Sequence, residues 1–297
     1  MKTSYLKIIL FTFAIVIFIF IPLAASAHQP RLATDNPIII SDPEISKAFY
    51  GTVVGDPIVY KISSDKPFHL YVNILVPDIA GQKKDVSAVI IKKGTPDETL
   101  ATLDGTTFQW KKMFEEFGHD NYWQGPEYKN DVEAGNYEIR VFGPANTSLN
   151  SAPDNIRKYS LATGEIEKFD FKESVNALRL IPQIKRDFFE ESPISFILSP
   201  FGIGYILIMF VLAFIVGFIY RALLFKFTKV KTLRPKKNIN SNGRLLRAAI
   251  GVILLLFAIM TSWNPIVLFF AGFCFFEAIF SWCGVFAALG KNTCPMN

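Results

Sequence analysis

The chain has 297 residues, of which 51% are hydrophobic, and its charged residues are unevenly distributed. Residues 28–192 carry 19 Lys/Arg and 25 Asp/Glu, whereas residues 193–297 carry 10 Lys/Arg and the single acid Glu277. This distribution excludes an ordinary soluble protein, and it excludes nucleic-acid binding because the positive charge lies beside apolar runs; it predicts an acidic domain followed by a membrane segment.

Residues 1–27 predict a signal peptide. Lys2 and Lys7 precede an uncharged run that ends at Leu23, and Ala25-Ser26-Ala27 is the small-x-small pattern that signal peptidase cleaves. Cleavage after Ala27 would export the domain that follows. The alternative is an uncleaved signal anchor, which would add one helix and leave the remaining topology unchanged.

Residues 28–172 predict an extracytoplasmic all-β sandwich, jelly-roll-like in fold. It has no disulfides, because all three cysteines lie in the last 24 residues. Short segments rich in β-branched and aromatic residues are separated by turn residues, without a long helical period. The predicted strands are residues 37–40, 52–62, 68–76, 86–91, 100–103, 137–142 and 159–161.

The end of this domain carries a resemblance. Ala134-Gly-Asn-Tyr-Glu-Ile-Arg-Val141, followed by Tyr159-Ser-Leu161, resembles the closing strands of bacterial pre-peptidase C-terminal-type sandwiches. The resemblance implies a role in binding or adhesion rather than catalysis.

Residues 110–128 predict a ligand surface on one long loop. Aromatic and acidic side chains occur together there, a combination that suits a sugar ring or a cation. The alternative is that the aromatic side chains pack over the edge of the sandwich. The candidate residues are Trp110, Glu115, Glu116, His119, Asp120, Tyr122 and Trp123.

Copper is the one cofactor that the sequence brings into consideration. Cleavage after Ala27 would place His28 at the mature N-terminus, where its amine and imidazole could chelate copper. His69 or His119 would supply a third nitrogen. Against this, any residue can follow a cleavage site, and His69 falls within a predicted strand.

The segment after the β domain predicts a helical anchor. Residues 173–193 predict a juxtamembrane stalk helix, with Ile181, Ile184 and Phe188 on one face. Residues 194–220 then run 27 residues without a charge, more than the ~20 needed to cross the hydrocarbon, and predict transmembrane helix 1.

Charge then predicts the orientation in the cell (inner) membrane. Between Arg221 and Arg247 there are nine Lys/Arg and no acidic residue, which places the linker, residues 221–244, in the cytoplasm. Residues 245–262 and 266–289 predict transmembrane helices 2 and 3, joined by a tight turn. The tail, residues 290–297, is then cytoplasmic, and the N-terminal domain lies outside.

The hairpin carries a second resemblance. Asn242-Gly-Arg-Leu-Leu-Arg-Ala-Ala-Ile-Gly251, together with Cys283 and Leu289-Gly-Lys-Asn-Thr-Cys294, resembles the YgaP-like inner-membrane transmembrane domain. That hairpin accompanies rhodanese (sulfurtransferase) domains in some proteins and stands alone in others, so the resemblance implies a role in sulfur handling. This chain has no rhodanese domain, and Gly284 stands where the family often has proline.

Small residues line one side of each hairpin helix, which lets membrane helices approach closely. The stripes predict either packing within the hairpin or homo-oligomerisation through transmembrane helices 2 and 3. They comprise Ala248, Gly251, Leu255, Ala258 and Ser262, and then Cys274, Glu277, Ser281, Gly284 and Ala288.

Glu277 is the sharpest intramembrane feature. It is residue 12 of a 24-residue span, where an unpaired charge costs at least ~2.5 kcal/mol. Two interpretations remain open: pairing with Arg247, or a protonated carboxyl that is hydrogen-bonded within a dimer. For Cys283 and Cys294 two interpretations are also open: they act as a thiol relay at the cytoplasmic face, or they are unreactive small residues.

No phosphate loop, Gly-x-Ser-x-Gly, His-Glu-x-x-His or paired-carboxylate motif occurs, which favours a non-enzyme. The leading hypothesis is a membrane-anchored extracytoplasmic binding or accessory protein, with the lipid bilayer and an extracellular ligand or protein as partners. The alternatives are a membrane thiol or sulfur-handling component and a copper-binding exported domain.

Overall fold

The computed structural model describes residues 28–144, 156–227 and 237–293. The predicted signal peptide and Cys294 therefore lie outside the described residues. The described residues fall into two compact units, whose boundary in sequence lies between Glu191 and Ser192.

The first unit is mostly β. One sheet has six strands in the order β1-β3-β11-β5-β9-β8, and the other has five in the order β2-β4-β10-β6-β7. The pairs β1/β3 and β2/β4 are parallel, and the other pairs are antiparallel. The strands in the described residues are β1 Gln29–Leu32, β2 Ile38–Ile39, β3 Lys47–Val53, β4 Ile58–Ser64, β5 Phe68–Pro77, β6 Ser87–Lys92, β7 Glu98–Leu103, β8 Lys111–Glu115, β9 Asp120–Val132, β10 Gly135–Phe142 and β11 Arg157–Thr163.

The two sheets share one hydrophobic core, which confirms the predicted β-rich domain. Alternate residues of each strand point to the same face, so β5 and β11 contribute every second side chain to this core. The fully buried hydroxyls of Tyr60 on β4 and Tyr159 on β11 lie 2.8 Å apart. That bond satisfies both polar groups and ties the two sheets together.

Two predicted segments differ from the structure. The predicted strand over residues 52–62 is two strands, β3 and β4, because Gly55 adopts a positive φ of 75° and the chain turns there. The predicted long loop over residues 110–128 is instead the β8–β9 hairpin at a sheet edge. Its exposed Lys111 and Lys112 are typical of an edge strand that avoids pairing with other chains.

Helix α1, Phe171–Asp187, packs on the face of the six-stranded sheet that lies opposite the shared core. Asp170 caps its first turn by accepting a hydrogen bond from the Glu173 N–H at 2.8 Å. Ile184 and Phe188 are buried in one cluster with Leu75 and Tyr122 of the sheet. The predicted stalk helix is therefore part of the β unit, because its apolar face finds a partner there rather than standing free.

The second unit is helical. Two of the helices in the described residues contain stretches long and apolar enough to cross a membrane, Phe201–Phe225 and Ser241–Met260, and Pro265–Phe280 is a shorter apolar helix. Asn264 caps that shorter helix after a tight turn. The elements are a 3-10 helix over Pro193–Leu198, then α2 Pro200–Phe227, α3 Ser241–Met260, α4 Pro265–Phe280 and α5 Gly284–Ala288.

The predicted third helix, residues 266–289, is wrong as one continuous helix. Ser281 adopts a left-handed conformation with φ 52°, which ends α4, and α5 begins after Cys283. Two side chains stabilise the break. The Glu277 carboxylate of α4 accepts a hydrogen bond from the Gly284 N–H, and the Asn238 amide bonds to both the N–H and the carbonyl of Cys283. Protein groups therefore satisfy the backbone N–H and C=O groups that the break would otherwise leave unpaired.

Candidate functional site

A cavity of about 370 Å³ lies between α1 and the outer face of the six-stranded sheet. Strand alternation places its walls. On β11, Tyr159 and Leu161 enter the shared core, so Ser160 between them faces the cavity. Ile181 and Ile184 of α1 close the opposite side. The volume falls within the range of small-molecule binding sites in proteins.

The β8–β9 turn forms the acidic wall of the cavity. The Glu115 carboxylate folds the turn back on itself, because it accepts hydrogen bonds from the backbone N–H groups of Phe117 and Gly118, both at 2.7 Å. Burial raises the pKa of Glu115. Asp120 follows the turn, so two carboxylates flank Gly118 at one end of the cavity.

A buried ion pair supports this wall. The Lys185 ammonium of α1 donates to Asp120 Oδ1 at 2.5 Å and to the His119 carbonyl at 3.2 Å, and Glu191 lies 3.7 Å away. The side chains of Lys185 and Asp120 are only 1% and 5% exposed. Burial raises the pKa of Asp120 to about 7, although Lys185 opposes that shift.

Hydroxyl groups form the second polar wall. Tyr50 and Tyr122 hydrogen-bond through their hydroxyls at 3.0 Å, and burial raises the pKa of both. Ser160 is fully buried, and its Oγ has no hydrogen-bond partner among the described residues. Since buried polar groups are nearly always satisfied in folded proteins, this hydroxyl points to a ligand or water in the cavity.

The structure brings five of the sequence-predicted site residues to this one cavity. They belong to the predicted ligand surface and to the predicted N-terminal histidine site, and they meet because β1 and the β8–β9 hairpin lie on opposite sides of the same face. The five are His28, Glu115, Glu116, Asp120 and Tyr122.

The remaining members of the predicted ligand surface lie elsewhere. Trp110 packs against the shared core and donates to the Gly105 carbonyl at 2.8 Å. Trp123 alternates away from Tyr122 on β9 and donates to Asp78 at 2.8 Å. His119 is exposed, and its ring contacts Phe114. The predicted packing of aromatic side chains over the sandwich therefore applies to the two tryptophans.

Two of the three histidines predicted for copper contact polar side chains of other residues. His28 Nδ1 lies 2.5 Å from Ser46 Oγ, and burial lowers the pKa of His28. His69 Nδ1 lies 2.6 Å from Asp131, and its other nitrogen is 3.3 Å from Glu165. The described ranges contain no group of three or more His, Cys, Asp or Glu residues placed to hold a metal ion.

The sequence interpretation missed Lys185, Ser160 and Tyr50. A signal for Lys185 was present, because it lies four residues after Ile181 and three before Phe188, on the apolar face of α1. A lysine on an apolar helix face demands a buried acceptor. Ser160 and Tyr50 gave no comparable signal, since small polar and tyrosine residues are common in strands.

The helical unit has its own polar cluster, and it joins two predicted residues. Arg247 Nε of α3 donates to Glu277 Oε2 of α4 at 2.9 Å, and the other carboxylate oxygen accepts the Gly284 N–H at 2.9 Å. The two side chains are 13% and 10% exposed. Of the two interpretations of Glu277, the structure contains the ion pair with Arg247, formed within one chain.

Cys283 lies in the helix break beside this pair. It is buried, and the residue that follows it, Gly284, donates its N–H to the Glu277 carboxylate of the pair. Asn238 accepts the Cys283 N–H at 2.6 Å and donates to its carbonyl at 2.9 Å. The small stripe of α3 packs within the hairpin, since a Cβ at Gly251 would lie 3.3 Å from that of Cys274.

Solved structures similar to the chain match its β unit at low identity. PliG of Aeromonas hydrophila, a periplasmic inhibitor of g-type lysozyme, is 12% identical with a TM-score of 0.29, over 46% of this chain and 97% of that one. The pre-peptidase C-terminal domain of Bacillus anthracis collagenase is 11% identical with a TM-score of 0.25, over 46% and 95%. Salmonella Typhimurium PliG is 14% identical with a TM-score of 0.25, over 44% and 98%.

A pre-peptidase C-terminal domain is thus among the similar structures, as the strand pattern predicted. These TM-scores are low, so the likenesses carry no function to this chain. No curated protein matches the chain. The helical hairpin gives the clearest relationship: residues 235–297 match the family described as inner membrane protein YgaP-like, transmembrane domain, which confirms the predicted resemblance and marks the chain as a membrane protein.

Proposed function

We propose that this chain is a membrane-anchored extracytoplasmic binding protein whose ligand occupies the cavity between α1 and the six-stranded sheet. The observation that carries the proposal is the fully buried Ser160 hydroxyl, which faces a cavity of about 370 Å³ and has no partner among the described residues. A buried ion pair and a hydrogen-bonded turn hold the polar wall in place, so the site is formed before a ligand arrives.

The test is a ligand screen on the full chain in lipid nanodiscs, read by the thermal shift of the protein. Met113→Trp adds a large side chain to a cavity wall, and Lys111→Trp adds the same side chain to an exposed position of the same strand. A ligand that stabilises the wild type and Lys111→Trp but not Met113→Trp supports the proposal. If every ligand found stabilises Met113→Trp as much as the wild type, the ligands bind outside the cavity and the proposal is wrong.

The topology belongs to the same proposal. The β unit, a jelly-roll-like sandwich, lies outside after signal-peptide cleavage; α2, α3 and the α4–α5 segment cross the membrane; and the C-terminus is cytoplasmic. The nine Lys/Arg between Arg221 and Arg247 support this orientation. A reporter active only outside the cytoplasm should be active after Glu191 or near Asn264 and silent after Lys237 or Asn297; the reverse pattern would refute the orientation.

Homo-oligomerisation through α3 and α4 is a further part of the proposal. It is supported by the exposed apolar side chains that α3 carries, including Leu245, Leu246 and Ile253. Crosslinking of the full chain in membranes tests it. Because Glu277 is already paired within the chain, Glu277→Gln should preserve a crosslinked dimer, and a monomer at every protein density would contradict the assembly.

A second candidate function is sulfur handling, which the buried position of Cys283 in the helix break next to the Arg247–Glu277 pair favours. In this function the Cys283 sulfur attacks the outer sulfur of a donor persulfide, becomes a persulfide and releases the donor as a thiol. Sulfane-sulfur transfer by membranes that contain the chain tests this function. Transfer that survives Cys283→Ser together with Cys294→Ser would exclude it.

A further inference from the structure

The floor of the cavity around Ser160 is uncharged and consists mostly of small side chains. In the register of the six-stranded sheet, Ser160 of β11 lies between Tyr50 of β3 and Leu75 of β5. Two residues further along β11, Ala162 lies beside Ala48 of β3. Alternation places these positions on the outer face of the sheet, on which α1 packs. Serine and alanine side chains leave space between the sheet and the helix, and the cavity occupies that space.

The Ser160 hydroxyl is the polar group of this floor that lacks a partner. Its Oγ is fully buried and makes no hydrogen bond among the described residues. The hydroxyl of its neighbour Tyr50 already bonds to Tyr122, and the side chain of its other neighbour, Leu75, has no polar atom. A buried water needs two to four polar partners. A ligand with one polar atom and an apolar body therefore suits this floor better than a water molecule does.

The charged groups of the cavity lie at its other end. On the Ser160 side, β1 contributes Pro30 and His28, and burial lowers the pKa of His28, so its imidazole is neutral at neutral pH. The carboxylates all belong to the β8–β9 hairpin, and β9 is the second strand from β11 in the sheet. They oppose an anion inside the cavity, but they lie too far along the sheet to pair with a cation held at Ser160. The carboxylates that line the cavity in the described part of the chain are those of Glu115, Glu116 and Asp120.

The apolar part of the lining has room for a molecule of two fused rings. Met113 of β8 faces the cavity from the sheet side, and Ile181 and Ile184 face it from α1. The cavity volume of about 370 Å³ is more than twice the ~150 Å³ of an apolar protein cavity that binds benzene. Removing the apolar surface of a ligand from water favours its binding here.

We infer that the cavity binds a small uncharged apolar molecule through one oxygen atom that hydrogen-bonds to Ser160, with the hydrocarbon part of the molecule between the sheet and α1. A serine hydroxyl both donates and accepts, so the oxygen of an alcohol, a phenol or a ketone satisfies it. A charged head group at the same place is disfavoured, because it would be buried without a counter-charge on the neighbouring strands. This inference rests on the proposed function and names the ligand class of that same cavity.

The experiment is equilibrium dialysis of radiolabelled 2-naphthol against the full chain in nanodiscs, with empty nanodiscs subtracted. It is run at pH 7, where a phenol is uncharged. Competitors with the same rings are naphthalene, which lacks the hydroxyl, the anion 2-naphthoate and the cation 2-naphthylmethylammonium, each compared at equal free concentration. Ser160→Ala removes the hydroxyl at nearly constant shape, and Thr163→Val removes a buried hydroxyl of the same strand that faces away from the cavity. Thermal unfolding confirms that each variant is folded.

We expect saturable binding of one 2-naphthol per chain. Ser160→Ala should weaken it about 3- to 10-fold, which corresponds to the loss of one hydrogen bond, while Thr163→Val leaves it unchanged. The affinity of naphthalene should be the same in the wild type and in Ser160→Ala, so the ratio of the two affinities falls by the same factor. Met113→Trp should abolish binding, and both charged competitors should bind at least about tenfold more weakly than 2-naphthol.

A ratio of 2-naphthol to naphthalene affinity that Ser160→Ala leaves unchanged would overturn the inference, because the oxygen would then not bind Ser160. Tighter binding of either charged competitor than of 2-naphthol would overturn it as well. An absence of saturable 2-naphthol binding would also overturn it. The proposed function would survive that last result if the screen finds another ligand sensitive to Met113→Trp, and it would fall with it if the screen finds none.

Discussion

Replacing Lys185 with Met removes a fully buried ammonium group while keeping an unbranched side chain of similar length. The substitution leaves the Asp120 carboxylate, 5% exposed, without its cation, and it also removes a donor from the His119 carbonyl. Breaking a buried ion pair on one side typically costs 3–5 kcal/mol, because the remaining charge is buried and uncompensated. We expect a loss of about that size in the free energy of unfolding of the β unit at pH 8.

The loss should depend on pH, and its sign follows from the raised pKa of Asp120. Burial raises that pKa from 3.8 in the unfolded chain to about 7, so the folded protein holds more protons between about pH 4 and 7. Stability therefore falls as pH rises through this window. Lys185 opposes the shift, so in Lys185→Met the fall continues to higher pH, and the variant should lose less stability at pH 5 than at pH 8.

Pulse proteolysis of the full chain in nanodiscs at increasing urea measures the stability of the β unit at each pH. Lys111→Met, at an exposed lysine of β8, is the matched control and should stay within about 0.5 kcal/mol of the wild type. Adding Asp120→Leu to Lys185→Met should recover most of the loss, since an apolar pair needs no compensation. A Lys185→Met variant as stable as the wild type at pH 8, or equally destabilised at both pH values, would refute the reasoning.

Two further predictions concern the helix break. Asn238→Ala leaves the N–H and the carbonyl of Cys283 unsatisfied, at a cost of about 1–3 kcal/mol. Maleimide should therefore label Cys283 about tenfold faster, measured in a chain whose other cysteines are replaced by serine. An unchanged labelling rate would contradict the anchoring role of Asn238. Gly284→Ala places a Cβ 2.4 Å from the Tyr220 ring and should lower the melting temperature of the full chain in nanodiscs. Adding Tyr220→Leu should restore part of that loss. If the two substitutions instead lower the melting temperature additively, the Tyr220 ring is not the cause of the clash.

Patterns that depend on local periodicity were readable from the sequence. Strand alternation predicted the β-rich unit, and long uncharged runs predicted the apolar helices. The motif around Arg244 and Arg247 predicted the YgaP-like hairpin. Strand β8 was not readable, because its alternation is short and its lysines resemble those of a solvated loop. The break at Ser281 could not be predicted either, since a serine within an apolar run does not indicate a left-handed backbone conformation.

The cavity could be predicted only in part, for a physical reason. Glu115, Asp120 and Tyr122 are neighbours in sequence, so their association was visible as a cluster. Lys185 and Ser160 come from a helix and a strand that follow much later in the chain, and only the packing of α1 on the sheet brings them to the same place. Contacts between distant segments require the fold, whereas contacts within a hairpin do not.

On the proposed topology, the break between α4 and α5 bears on how the chain enters the bilayer. While α3 is being synthesised, its Arg247 has no counter-charge, because Glu277 is still 30 residues away along the chain. The break itself is incomplete until Asn238, which precedes α3, meets Cys283, which follows α4. Neither helix can satisfy its polar groups alone, so stepwise release into lipid would be costly at both steps. The hairpin is therefore expected to leave the translocon as a single preassembled insertion unit.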